Sequence, residues 1–94
     1  MDQNISIKIA ERTFNLTAPT PEQEEVIRLA ADAINRRLET FTRRNPGKNL
    51  VELMSMVALN EGVCRINIQR EMAAKEAEAE QLGKDMANYL ARMK

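Results

Sequence analysis

Residues 50–93 read LVELMSMVALNEGVCRINIQREMAAKEAEAEQLGKDMANYLARM, a stretch without proline. Asn49 stands before it as a helix cap, and Glu52 follows three residues later. The stretch therefore predicts one helix from Leu50 to Met93, roughly 66 Å long at 1.5 Å per residue. A compact chain of this size has a radius of gyration of only about 12 Å, so such a helix is too long to fold back on its own chain.

This helix carries two apolar patterns. Its second half keeps the 4, 3 spacing of a coiled-coil seam, interrupted by Lys75, and its first half has a broader stripe that suits more than one neighbour. The seam accepts Lys75 in either direction, so parallel and antiparallel pairing both remain open. The predicted contacts between copies are Leu53, Val57, Val63, Ile66, Ile68, Met72, Ala79, Leu82, Met86 and Tyr89.

A β-hairpin is predicted at the start of the chain. Ile5, Ile7 and Ile9 alternate with polar residues, and the alternation resumes at Phe14. This period of two predicts two strands with one apolar face, although the turn between them lacks an Asn-Gly or Asp-Gly signal. A lone hairpin is only marginally stable in water, so its apolar face must lie on a helix or join another sheet.

A helix follows the hairpin. Thr20 can cap it and Pro21 suits its first position. It is expected to end before Asn45, where Pro46 and Gly47 follow. Its predicted buried face consists of Ile27, Ala31, Ile34, Leu38 and Phe41, which follow helical spacing.

These elements predict an α+β fold. Residues 1–48 are expected to form a head, with the hairpin and the shorter helix pairing into a dimer. Residues 49–94 are expected to form one long helix, whose first half completes the dimer core and whose second half is a coiled-coil stalk.

Composition excludes several classes of protein. Ninety-four residues and 10.7 kDa allow one small domain, and the absence of His excludes histidine-dependent catalysis. The single Cys64 cannot form an internal disulfide, and without His it cannot anchor an ordinary zinc site. With no phosphate-binding loop, serine triad or ligand cluster, we predict no catalytic residue, metal or cofactor, and hence a non-enzymatic protein. The start lacks a signal peptide and Leu53–Leu59 is too short to span a bilayer, which predicts a soluble cytosolic protein without a membrane partner.

Charge is balanced overall but not locally. Lys and Arg number 14, as do Asp and Glu. The end of the first helix nevertheless has a basic excess against the lone Glu39, which predicts either a solvated helix end or a docking patch for an acidic partner. Nucleic acid is a weaker partner because no aromatic residue is interleaved for stacking. The basic residues are Arg36, Arg37, Arg43, Arg44 and Lys48. Arg12, at the hairpin turn, is a further candidate contact.

The order of these features resembles the bacterial cell division protein ZapA family. The resemblance covers essentially the whole chain, and it is the order and spacing of the motifs that make it specific. The motifs are Ile5–Ile9 with Arg12, Ala18–Pro21, Ala30–Leu38 and Ala58–Asn60.

This resemblance implies a dimer with a globular head and paired long helices. It further implies a tetramer joined through antiparallel stalks, which binds the division GTPase FtsZ and links its filaments at the cytoplasmic mid-cell division site. The family's contact arginine after the first strand corresponds to Arg12. Thr42 and Pro46 stand where the family has basic residues, and Arg43 and Arg44 are neighbours of those positions.

The predicted FtsZ contacts are Arg12, Arg36, Arg43, Arg44 and Lys48. Two alternatives from other classes remain at this point. One is a small dimeric regulator that binds nucleic acid through the Arg36–Lys48 patch. The other is an oligomerisation stalk for an unrelated assembly.

Overall fold

The computed structural model describes residues 2–93. Four elements follow one another: β1 (Gln3–Ile9), β2 (Arg12–Ala18), α1 (Pro21–Arg44) and α2 (Leu50–Arg92). The predicted α+β order of hairpin, shorter helix and long helix is confirmed. The chain divides into two compact units, residues 1–59 and residues 60–94. Because this division falls inside α2, the first ten residues of that helix belong to the same unit as the hairpin and α1.

The hairpin has one apolar and one polar face. Its strands are antiparallel, with Ile5 opposite Leu16 and Ile7 opposite Phe14. Residues opposite each other share a face of the sheet, so these four side chains lie together. On the other face, Ser6 Oγ donates a hydrogen bond of 2.7 Å to Asn15 Oδ1. The predicted alternation is confirmed.

The hairpin turn consists of Ala10 and Glu11, since Ile9 pairs with Arg12. Both residues have positive φ, 53° and 67°. Two central residues with positive φ define the type I′ turn, which matches the twist of a hairpin. Arg12, which the sequence had placed at the turn, is therefore the first residue of β2. A left-handed backbone costs roughly 1–2 kcal/mol for each such residue, so other contacts must hold this turn.

Helix α1 begins and ends where its capping residues predict. Thr20 Oγ1 accepts a hydrogen bond of 3.1 Å from the Gln23 amide, and Pro21 occupies the first turn. At the other end, the Asn45 amide donates to the Phe41 carbonyl at 2.9 Å. The predicted inner face is confirmed, because Ala31 is buried and its other members are half-buried: Ile27, Ile34, Leu38 and Phe41.

Polar contacts fasten α1 to the free edge of β1. Asn35 Nδ2 donates to the Lys8 carbonyl at 2.8 Å, and Asn35 Oδ1 accepts from the Ala10 amide at 3.0 Å. Two turns earlier in the helix, Arg28 Nη1 donates to the Ser6 carbonyl at 3.3 Å. These bonds satisfy edge groups that β2 cannot reach, and they fix the orientation of α1 along β1.

Helix α2 is one continuous helix of 43 residues. At 1.5 Å per residue this corresponds to about 65 Å. Asn49 Oδ1 accepts a hydrogen bond of 2.9 Å from the Glu52 amide, which confirms Asn49 as the cap. The helix passes through Gly62 and Gly83 without interruption. It ends one residue before the predicted Met93.

The buried apolar core of the described residues lies within residues 1–59. It consists of Ile5, Ala18, Ala31, Leu53 and Val57. Leu53 and Val57 were predicted as contacts between copies, yet they are 6% and 2% exposed in a single chain. In this structure both side chains belong to the chain's own core, and their contact with a second copy stays a prediction. Helical periodicity identified the face that becomes buried but not which chain covers it.

Candidate interaction surfaces

A groove of about 560 Å³ opens beside the hairpin and the start of α2. It exists because the chain covers only half of the hairpin's apolar face. Ile5 in β1 is buried, whereas Phe14 and Leu16 in β2 keep 44% and 39% of their surface exposed. The groove is lined by Ile9, Ala10, Arg12, Phe14, Leu50, Val51, Met54, Ser55 and Ala58.

Arg12 is the one charged residue among those that line this groove. Arg12 is paired with Ile9 across the hairpin, so its side chain projects from the same, apolar face of the sheet. Arg12 thus lines the same groove as exposed apolar side chains such as Phe14 and Val51. A guanidinium flanked by apolar surface suits a partner that offers a carboxylate next to apolar side chains.

A second cavity of about 700 Å³ lies against the other side of the hairpin turn. Ala10 and Leu50 line both cavities, so the turn separates the Arg12 groove from a cavity lined by Arg43. The structure therefore brings Arg12 and Arg43 to the same end of the hairpin. This second cavity has mixed charge, because its lining includes Lys8, Glu11, Asn35, Leu38, Glu39, Thr42 and Arg43.

Two of the five predicted contact residues already have acidic neighbours. Arg43 Nη1 lies 3.1 Å from Glu39 Oε1, and Lys48 Nζ lies 3.5 Å from Glu52 Oε2. Both pairs are exposed, where an ion pair contributes at most about 1 kcal/mol and opens readily. The other three, Arg12, Arg36 and Arg44, form no ion pair with any of residues 2–93. Among the five predicted contacts, these three are the most available to a partner.

Arg36 lines a shallow pocket of about 350 Å³ on α1 together with Ala33, Arg37 and Thr40. Arg43 follows Arg36 by seven residues, so the two lie on nearly the same side of α1, about two turns apart. Two of the five predicted contacts, Arg43 and Lys48, are paired with carboxylates, which lowers the net positive charge that a duplex of nucleic acid would meet.

Residues 60–93 expose the predicted seam. Its large apolar side chains are between 48% exposed, at Ile66, and 63% exposed, at Leu82. All eight predicted contacts in this range are exposed: Val63, Ile66, Ile68, Met72, Ala79, Leu82, Met86 and Tyr89. A row of such side chains at coiled-coil spacing is a surface that stable proteins cover.

Two asparagines have positions that the sequence did not predict. Asn35 anchors the hairpin turn through its side-chain amide. Asn60 Nδ2 is buried without a hydrogen-bond partner among the described residues. The available signal for Asn60 was its place three residues after Val57 on the same stripe, because a polar residue within an apolar stripe is a known device for setting register.

Over residues 2–93, no helix combines the length and apolar character needed to cross a membrane. In the same range, acidic, His and Cys side chains do not gather in groups of three or more that could hold a metal ion.

Comparison with known proteins agrees with this architecture. The chain matches the family model described as Cell division protein ZapA over residues 5–94. It is also 32% identical over 74 residues to the cell division protein ZapA of Sodalis glossinidius (strain morsitans). That alignment covers 79% of this chain and 65% of the relative, so the chain spans somewhat less than two thirds of the relative's length. With a match over nearly its whole length, the chain belongs to the ZapA family of cell division proteins.

Proposed function

We propose that this protein is a non-enzymatic crosslinker of FtsZ filaments at the cytoplasmic face of the division site. In this proposal two copies form a dimer, two dimers join through antiparallel stalks, and heads at both ends of the assembly bind neighbouring filaments. Family membership supports a role in cell division. The surfaces described above supply a physical route from that role to crosslinking.

The exposed seam of residues 60–93 is the observation that carries the proposal. Leu82 and Met86 are 63% and 53% exposed, one helical turn apart. Fully burying a side chain of this kind is worth about 1.5–3 kcal/mol, so the seam offers a large free energy to any helix that covers it. A second copy has a matching seam, since identical helices with heptad spacing pair with one another.

We assign the uncovered half of the hairpin's apolar face to pairing of the heads. Phe14 and Leu16 together with Val51 form an apolar surface of the first unit, and Val51 is 75% exposed. A second head that covers this surface buries the apolar side chains that a single chain leaves exposed. Arg12 lines the same groove as Phe14 and Val51, so the proposal requires the second head to leave the Arg12 side chain accessible to a filament.

The filament contacts in this proposal are Arg12, Arg36, Arg43, Arg44 and Lys48. We expect Arg12, Arg36 and Arg44 to contribute most, because Arg43 and Lys48 must first give up Glu39 and Glu52. Complementary charge mainly sets the rate and specificity of such an encounter. The partner surface is therefore expected to be acidic.

Avidity explains how weak contacts can bundle filaments. A contact with a dissociation constant of about 1 mM is worth only about 4 kcal/mol. When one assembly holds two or more heads, the second contact becomes intramolecular and its effective concentration rises to the millimolar range or above. Self-association therefore converts marginal head contacts into a stable crosslink.

Co-pelleting with assembled FtsZ filaments tests the proposal. The wild-type chain is expected to pellet with the filaments and to bundle them in electron micrographs. Arg12→Glu combined with Arg44→Glu should reduce pelleting at least tenfold, because both changes place carboxylates against an acidic surface. The matched control is Arg70→Glu combined with Lys84→Glu, which makes the same change in net charge on residues 60–93.

The controls separate the outcomes. Equal loss in both double variants would show that net charge, not the head surface, governs binding. Full binding by the Arg12 and Arg44 variant would remove these residues from the contact. Absence of wild-type pelleting across a salt series down to low ionic strength would end the FtsZ proposal itself.

A further inference from the structure

Helix α1 has a second face, about a third of a turn around the helix from the face that packs on the hairpin. Val26 and Leu29 on this face are 54% and 60% exposed, although Ala31 on the inner face is buried. Neither Val26 nor Leu29 has a role in the core, the seam or the filament contacts. The stripe runs along the whole helix with helical spacing and consists of Glu22, Val26, Leu29, Ala33, Arg37, Thr40 and Arg44.

The stripe changes character along its length. It begins with the acidic Glu22, continues through apolar and small residues, and ends with the basic Arg44. Neither end residue forms an ion pair with any of residues 2–93, and 22 residues of helix place them about 33 Å apart. A single chain thus cannot satisfy these two charges with each other, whereas another helix running in the opposite direction can.

The spacing of the stripe is symmetric about Ala33. Successive members are separated by 4, 3 and 4 residues before Ala33 and by the same numbers after it. Two copies placed antiparallel therefore bring Glu22 against Arg44, Val26 against Thr40, and Ala33 against Ala33. This is the self-complementarity that a two-fold contact between identical chains requires.

From this symmetry we propose that the outer face of α1 binds the same face of a second copy, antiparallel, with Ala33 at the two-fold axis. The small Ala33 allows close approach at the crossing point, where helix axes lie about 8–10 Å apart. Leu29 meets Arg37 of the other copy, whose aliphatic stem covers the leucine while its guanidinium reaches toward the acidic end. Charge complementarity selects a second copy over an unrelated apolar segment.

This contact is additional to the head pairing and the stalk in the proposed function. The head groove uses the hairpin and the start of α2, so head pairing leaves the outer face of α1 uncovered. Arg44 is also a proposed filament contact, so this contact and filament binding compete for that residue. The contact therefore joins one assembly to the next. A single helix pair buries less than about 1,200 Å², so the link is weak, reversible and sensitive to salt.

Disulfide trapping tests the arrangement without any filament. Ala33→Cys combined with Cys64→Ser should form a disulfide between copies under mild oxidation, since residues at the axis lie within the 4.4–6.8 Å reach of bridged Cα atoms. The control is Thr40→Cys combined with Cys64→Ser. It lies on the same face, but antiparallel pairing places its two copies about 21 Å apart. We expect the Ala33 variant to crosslink at least tenfold faster, and its native mass to rise above that of the reduced protein.

Register gives a second, independent readout. Val26→Cys and Thr40→Cys chains, each with Cys64→Ser, should crosslink when mixed but not separately. Equal rates for the Ala33 and Thr40 variants would overturn the proposal, as would an Ala33 disulfide that leaves the native mass unchanged. Because these readouts contain no FtsZ, they can fail while filament co-pelleting succeeds, and the reverse also holds.

Discussion

The side-chain amide of Asn35 holds the backbone of Ala10 in the hairpin turn. Its Oδ1 accepts the Ala10 amide hydrogen at 3.0 Å, and its Nδ2 donates to the Lys8 carbonyl at 2.8 Å. The turn carries two non-glycine residues with positive φ, so it stores strain that these bonds offset. Arg12 follows directly in β2, so the same anchor positions the first candidate filament contact.

Asn35→Ala is therefore expected to destabilise the fold by about 1–3 kcal/mol, since it leaves a part-buried amide without its acceptor. Urea unfolding followed by circular dichroism at fixed protein concentration measures this. Asn15→Ala is the control, because it removes only the exposed bond from Ser6 and should cost no more than about 0.5 kcal/mol. Similar midpoints for Asn35→Ala and the wild type would show that the turn does not depend on this anchor.

The turn itself should accept a better sequence. Ala10→Asn combined with Glu11→Gly installs the pair that type I′ turns prefer and keeps the Ala10 backbone amide that bonds to Asn35. We expect a gain of about 1 kcal/mol, because positive φ becomes less costly. The change is measured as a shift in thermal midpoint.

Gly47→Ala provides the opposite case within the same chain. Gly47 has a φ of 91°, and a Cβ at this position would meet nothing within 4 Å. Any loss of stability must then come from backbone strain rather than from a clash, and about 1–2 kcal/mol is expected. An unchanged thermal midpoint for Gly47→Ala would show that backbone strain at residue 47 does not affect stability. A lower thermal midpoint for the Ala10→Asn and Glu11→Gly variant would show the same for the hairpin turn.

The elements of this fold were predictable because each has a local signal. Period-two alternation marked β1 and β2, Thr20 and Asn49 marked the starts of the two helices, and the absence of proline marked the length of α2. Such signals depend on neighbours in sequence, which periodicity and capping describe well.

The contacts that position the candidate site were not predictable in the same way. Asn35 bonds to residues 25 and 27 positions away, and no local pattern encodes such a pair. The turn gave no signal either, since Ala10 and Glu11 are unusual residues at positive φ. Leu53 was identified as apolar and inward-facing, but the same helical spacing arises whether the covering surface belongs to the same chain or to another.

Truncation of Leu53 and truncation of Leu82 should have different effects, because one side chain is buried within the chain and the other is expected to be buried between copies. Leu53 is 6% exposed and Leu82 is 63% exposed in a single chain. We expect Leu53→Ala to cost about 2–5 kcal/mol, with a deficit that does not change on dilution. Leu82→Ala should lose stability mainly at low concentration, because its burial depends on association.

Thermal unfolding over a hundredfold range of protein concentration measures both deficits. A deficit for Leu82→Ala that is constant over this range would place Leu82 outside any interface. A deficit for Leu53→Ala that grows on dilution would return Leu53 to the contact between copies, against its burial in the structure.

Charges placed in the seam should prevent the long helices of different copies from associating, while the head remains folded. Leu82→Glu combined with Met86→Lys puts opposite charges one turn apart in the favourable order within a single helix, which keeps local helix propensity while the apolar seam is lost. Light scattering should report a dimer in place of the tetramer. Bundling of FtsZ filaments should disappear, while the dimer still binds to individual filaments. The control is Glu80→Lys combined with Lys84→Glu, which exchanges two charges outside the seam and should leave mass and bundling intact. An unchanged mass for the seam variant would mean that residues 82–86 do not join copies, and crosslinking would then require another surface.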